Sequence, residues 1–173
     1  MPSASLRSMF LLAFVVSVLM LAAAFYLEWE VGLEPCPLCY SQRLFLGAFS
    51  LVCLCAVLHG PGCLGARVYA ALALLCALCG AILAARHVWL QGVPLPISSD
   101  CSPPEILGVD SLSLSHQFKL MLIGSPDCVR LNWSFLDLTI PEWSLLAFVL
   151  LVVLALLRLF GRNHALFNYP AKN

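Results

Sequence analysis

Charge is what this sequence has least of. Lys and Arg number nine, Asp and Glu nine, and together they make up 10% of its 173 residues, where a soluble domain carries about a quarter. The two signs cancel to a net charge of zero. No basic field is left to attract a polyanion, so the composition argues against nucleic-acid binding. Acidic residues are missing altogether from the N-terminal tail, from the middle of the chain around Arg67 and from the C-terminal tail. No internal repeat or low-complexity tract occurs either, and the chain reads as one domain over residues 1–173.

What is present is apolar: 62% of the residues are hydrophobic and the mean hydropathy is +0.96. That is the composition of an integral membrane protein. A helix needs roughly 20 apolar residues to cross a bilayer core of about 30 Å, and four runs approach that length, at about 9–27, 44–58, 68–85 and 144–160. The second reaches spanning length only if residues 40–43 form its first, interfacial turn, which extends it to about 40–58. The first resembles a signal peptide in having Arg7 before it and Ala22-Ala23-Ala24 near its end. Its apolar run is longer than a signal core and three more spans follow, so we read it as an uncleaved anchor.

Charge placement orients the spans. The acids fall in two loops, Glu28, Glu30 and Glu34 in one and Asp100, Glu105, Asp110, Asp127, Asp137 and Glu142 in the other. Arg7, Arg67, Arg158, Arg162 and Lys172 lie in segments with no acid, and the positive-inside rule puts those segments, with both termini, in the cytoplasm. Arg43, Arg86, Lys119 and Arg130 stand on the other side and moderate the bias. Loops of about 28–43 and 86–143 then share the outer face. Within the longer one, 112–123 reads as a short helix lying along the interface. Trp133, Phe135, Leu136, Leu138 and Trp143 supply interfacial anchors before the last span. The expected fold is an all-α membrane protein, a four-helix transmembrane bundle with a short interfacial helix in its second outer loop.

Nine cysteines are spread over this plan, an odd number that cannot all pair within the chain. Cys36 and Cys39 form a Cys-x-x-Cys pair on the oxidising face, just ahead of the second span. Two thiols at that spacing suit redox exchange better than stapling. A structural bridge or half of a zinc site is the alternative, but a structural zinc site needs four ligands and no second knuckle lies on this face. Pro37 suits the first turn of a helix, which would set Cys39 near the positive helix end, where a thiolate is favoured. Arg43 adds a full cation one turn on, as an interface anchor or as a ligand contact.

Cys101 and Cys128 are the remaining outer cysteines. They could form a permanent staple worth about 3–4 kcal/mol, or an exchangeable disulfide reached through the Pro- and Ser-rich segment around them. Four outer cysteines allow three pairings. Cys53, Cys55, Cys76 and Cys79 lie inside spans and read as small packing residues, and Cys63 belongs to the cytoplasmic loop, where it stays reduced. His87, at the outer end of the third span, reads either as a hydrogen-bond donor to a quinone carbonyl or as an interfacial ring.

The run Cys36-Pro37-Leu38-Cys39-Tyr40-Ser41-Gln42-Arg43, the outer loop with Cys101 and Cys128, and the stretch Trp133-Ser134-Phe135-Leu136 through Pro141-Glu142-Trp143 resemble, in that order, the bacterial disulfide bond formation protein B (DsbB) family. The resemblance covers almost the whole chain. It implies an oxidase of the bacterial inner membrane that regenerates a periplasmic DsbA-type thiol oxidase and passes the electrons to membrane quinone, either ubiquinone or menaquinone. It implies further that Cys36 and Cys39 are the quinone-proximal pair, with Cys39 facing the quinone, and that Arg43 helps to hold it. Cys101 and Cys128 would be the shuttle disulfide, with Cys101 attacked by the partner and Cys128 exchanging with Cys36. His87 stands where some members carry a quinone-site histidine. The vitamin K epoxide reductase type of oxidase carries its Cys-x-x-Cys late in the chain, unlike this one. A tetraspanin-like scaffold, the reading from another class, would carry a Cys-Cys-Gly motif that is missing here.

Overall fold

A computed structural model of the chain describes residues 2–32, 35–92, 134–135 and 137–160. Four helices dominate it: α1 over Pro2–Trp29, α2 over Pro37–His59, α3 over Cys63–Gln91 and α4 over Ile140–Phe160. Each holds a segment long and apolar enough to cross a bilayer, Arg7–Trp29 in α1 and the full length of the other three. Strands β1 (Ser134–Phe135) and β2 (Leu138–Thr139) precede α4 and pair antiparallel, Ser134 opposite Thr139 and Phe135 opposite Leu138. Asp137, in their connection, takes a left-handed φ of 62°, which a short side chain that can bond its own backbone tolerates. Cys101, Cys128, Trp133, Leu136 and the interfacial helix expected at 112–123 lie outside the described residues.

The helix ends follow local chemistry. Pro37 opens α2, where its missing N–H costs nothing. The helix closes on Gly60 in the left-handed conformation (φ 55°, ψ 49°), whose N–H donates to the Ala56 carbonyl at 3.1 Å. α3 runs beyond the apolar stretch that ends at Ala85, because Arg86 to Gln91 contain no breaker before Gly92. At α4, the Glu142 carboxylate accepts the Thr139 N–H at 2.7 Å, and the Thr139 hydroxyl lies 2.9 Å from the same oxygen, as in a capping box. That hydroxyl is also 3.1 Å from Gln91 Oε1, which ties the start of α4 to the end of α3.

α1 packs on α2, α2 on α3 and α3 on α4, while α1 meets α4 more sparsely. The closest seam belongs to α3. Ala66, Ala70, Ala73, Ala77, Gly80 and Ala84 recur in steps of four and three and are all buried. Small residues let membrane helices approach until backbone and side-chain atoms touch, which is the main attraction available between helices in lipid. Gly80 shows how tight the fit is, since a Cβ there would overlap the Phe148 ring of α4. Outward positions such as Leu19, Leu44, Leu58, Leu64 and Ile82 are exposed and supply the lipid-facing surface. The next step of the α3 seam is His87.

Candidate redox site

The site forms where the N-terminus of α2, the C-terminal turns of α1 and α3 and the first turns of α4 converge. Cys36 is the N-cap of α2, extended at φ −74° and ψ 166°, and its carbonyl accepts the Tyr40 N–H at 3.2 Å. Cys39 sits in the first turn, so both sulfurs lie at the positive end of the helix dipole. Their Sγ atoms are 3.4 Å apart. Cys36 is buried with Leu38 and Leu83, while Cys39 is half-buried.

His87 is fully buried against this pair. Its Nε2 is 3.7 Å from Cys36 Sγ and its Nδ1 is 4.0 Å from Cys39 Sγ. Gln42, also buried, places Nε2 3.4 Å from His87 Nδ1, and its Oε1 accepts the Ser144 hydroxyl at 2.6 Å. With the Gln42 amide in this orientation its nitrogen donates, which calls for the ring tautomer that accepts at Nδ1 and carries its proton on Nε2, facing the Cys36 sulfur. A chain of donors thus runs from Ser144 on α4 through Gln42 on α2 and His87 on α3 to Cys36.

Arg43 points toward α1. It forms an ion pair with Glu28, donates from Nη2 to the Ala24 carbonyl at 3.0 Å, and lies 5.1 Å and 5.8 Å from the ring centroids of Phe25 and Tyr40. An interface anchor would extend into water, whereas this guanidinium is held on several sides. Beside it a cavity of about 350 Å³ opens between α1, α2 and α4. Met20, Ala23, Leu27, Leu46, Ala147 and Phe148 form apolar walls, and Glu28, Cys39, Gln42, Arg43 and Ser144 supply the polar groups.

The structure therefore brings together Cys36, Cys39, Arg43 and His87, while Cys101 and Cys128 fall outside the described residues. Of the pair, only Cys39 lines the cavity. His87 is shielded completely and lies against both sulfurs. Sequence reasoning passed over Gln42, Ser144 and Glu28 as site residues. His87 had a usable signal, a large polar residue in phase with the alanine seam, whereas Ser144 had none, since its role depends on how α4 crosses α2. Among the other cysteines, Cys53 is buried in the main core, Cys76 and Cys79 are half-buried, and Cys55 and Cys63 are exposed.

Comparison with known proteins bears on what such a site does. The family model described as "Disulfide bond formation protein DsbB" matches residues 6–158. A relative in Pseudomonas entomophila named Disulfide bond formation protein B 2 is 53% identical over 156 residues, 90% of this chain and 92% of that protein. One of the same name in Pseudomonas putida is 56% identical over 153 residues, 88% of this chain and 90% of that protein. Disulfide bond formation protein B of Methylococcus capsulatus is 42% identical over 158 residues, 91% of this chain and 95% of that protein.

Proposed function

Since this chain belongs to the DsbB family of disulfide bond formation proteins, we propose that it is a thiol:quinone oxidoreductase of the bacterial inner membrane that reoxidises a periplasmic DsbA-type thiol oxidase. The observation that carries this reading is the sharing of one cavity by Cys39 and Arg43. An apolar chamber of about 350 Å³ with its polar groups gathered beside one thiol fits a quinone. Arg43 and Gln42 offer donors to carbonyl oxygens, and the walls accept ring substituents and an isoprenoid tail. Bound ubiquinone or menaquinone supplies a sink for two electrons and two protons.

The residues of the chain perform the thiol chemistry. A thiolate of the reduced partner attacks Cys101 of a Cys101–Cys128 disulfide, forming a mixed disulfide and releasing Cys128. The partner's second thiolate then displaces Cys101 and leaves the partner oxidised. Cys128 attacks Cys36 of the Cys36–Cys39 disulfide, breaking that bond and leaving Cys39 as a thiolate on the cavity wall. The Nε2–H of His87 stabilises negative charge on Cys36 when Cys101 displaces it and restores the outer disulfide. Arg43 holds positive charge beside Cys39, and the apolar walls exclude water. The need for a quinone follows from potential: DsbA-type oxidases stand at about −120 mV, beyond the reach of a thiol buffer. Positive charge near the spans supports a location with both termini in the cytoplasm and the Cys36–Cys39 loop in the periplasm.

The test mixes purified protein with reduced DsbA-type partner and follows thiol loss with and without quinone. Oxidation should require quinone and should vanish in Cys39→Ser. Full turnover by that variant would refute the scheme.

A further inference from the structure

Cys36, Cys39 and His87 also form a cluster of metal-ligating atoms, all within 4.8 Å of one another. Tetrahedral zinc, with bonds of about 2.3 Å to sulfur and 2.0–2.1 Å to nitrogen, sets its ligands about 3.8 Å apart for two sulfurs and about 3.5 Å for sulfur and nitrogen. The present spacings of 3.4 Å between sulfurs and 3.7 Å from Cys36 Sγ to His87 Nε2 differ from those by a few tenths of an ångström. Both sulfurs come from one helical turn, and the imidazole comes from a helix pinned by its alanine seam. Those two edges need little reorganisation, while the third, from Cys39 Sγ to the ring, lies within 4.8 Å and shortens as the metal binds.

We propose that the reduced pair and His87 bind one thiophilic d10 cation, of which Zn²⁺ is the type, and that the bound cation holds Cys36 and Cys39 out of disulfide exchange. Binding is not a redox step. Two S–H bonds lose their protons to solvent, two metal–sulfur bonds and one metal–nitrogen bond form, and no electron moves. Two thiolates cancel the charge of the cation, giving a neutral cluster that a buried site accommodates far better than two bare anions. The ring proton shifts to Nδ1 so that Nε2 can ligate, and Gln42, by turning its amide over, accepts that proton on Oε1 while Ser144 accepts from its nitrogen. Such an outer partner is what a metal-bound histidine requires. Three protein ligands leave a fourth position for an exogenous ligand, and Cys39 borders the cavity.

The binding claim stands on geometry alone, while the inhibition claim rests on the thiol:quinone reading above. Co²⁺ serves as the probe, titrated into anaerobically reduced full-length protein carrying Cys101→Ser and Cys128→Ser. One equivalent should bind with tetrahedral and thiolate-to-cobalt absorption, and Zn²⁺ should displace it. Cys36→Ser, Cys39→Ser and His87→Ala should each weaken binding by more than about tenfold, and the oxidised protein should not bind. His87→Cys should restore affinity with a three-thiolate spectrum, a rescue that a purely structural role for the ring would not produce. Equal affinity in wild type and His87→Ala, equal binding by the oxidised protein, or failure of His87→Cys to rescue would overturn the site. In a single turnover, Zn²⁺ should block quinone reduction by the reduced wild-type protein and a chelator should restore it. Zinc-insensitive turnover would refute the inhibition alone, whereas no turnover in metal-free protein would refute the function instead.

Discussion

Replacing Gln42 with Leu removes the link between Ser144 and His87 while nearly preserving volume. Two hydrogen bonds are lost, one of 2.6 Å and one of 3.4 Å. Neutral bonds contribute about 0.5–1.5 kcal/mol each, the short one near the top of that range and the long one near the bottom, for a sum of about 2 kcal/mol. Leu also removes the cost of burying an amide, so global stability should fall by only about 1 kcal/mol. The orientation of His87 has no such offset. With the full 2 kcal/mol expressed at the Cys36 sulfur, exchange should slow by about 30-fold. Gln42→Glu is the informative companion. An ionised carboxylate can only accept, so it draws the ring proton onto Nδ1 and turns an Nε2 lone pair toward Cys36, while Ser144 keeps its acceptor. Stopped-flow quinone reduction reads the rate, imidazole nitrogen NMR reads the tautomer, and a thermal melt controls for folding. Wild-type rates in Gln42→Leu together with an unaltered tautomer in Gln42→Glu would refute the relay from Ser144 to Cys36.

Two further substitutions probe the cavity and the seam. Glu28→Gln removes the carboxylate that neutralises Arg43, and because those side chains are 23% and 15% exposed the cost should fall between surface and buried ion pairs, at about 1–2 kcal/mol in denaturant unfolding. The cation left facing the cavity should lower KM for quinone, and an unchanged KM would count against Arg43 as a quinone contact. Gly80→Leu drives a side chain into the Phe148 ring and should cost at least about 1–3 kcal/mol while raising KM, since Phe148 lines the cavity. A melting temperature that does not move would show that α3 and α4 pack less closely than described.

Much of the plan was legible because membrane helices announce themselves by length and hydropathy alone. Pro37 marked the start of α2 and placed Cys39 near its positive end before any contact was known, and the structure agrees, adding Cys36 as the N-cap. What could not be read depends on which face of one helix meets which face of another. Glu28 and Arg43 are fifteen residues apart on different helices, and only the crossing of α1 with α2 pairs them. The same holds for Gln42 and Ser144, separated by 102 positions. The burial of His87 was partly readable: hydropathy ended the third span near Ala85, whereas the four-and-three spacing of small residues carried it on to His87.

That spacing has a consequence for how the gene can change. An α-helix turns about 100° and rises about 1.5 Å per residue, so inserting or deleting one residue between Ala66 and Ala84 would swing His87 away from the sulfurs and toward lipid. Deleting seven would nearly restore its angle, within about 20°, but leave it about 10 Å short of Cys36. Phase and height are both specified, so the length of α3 is not a free variable set only by bilayer thickness. Indels in this family should be admitted at the Gly60–Gly62 turn, where α2 ends and α3 begins, and excluded from the seam above it.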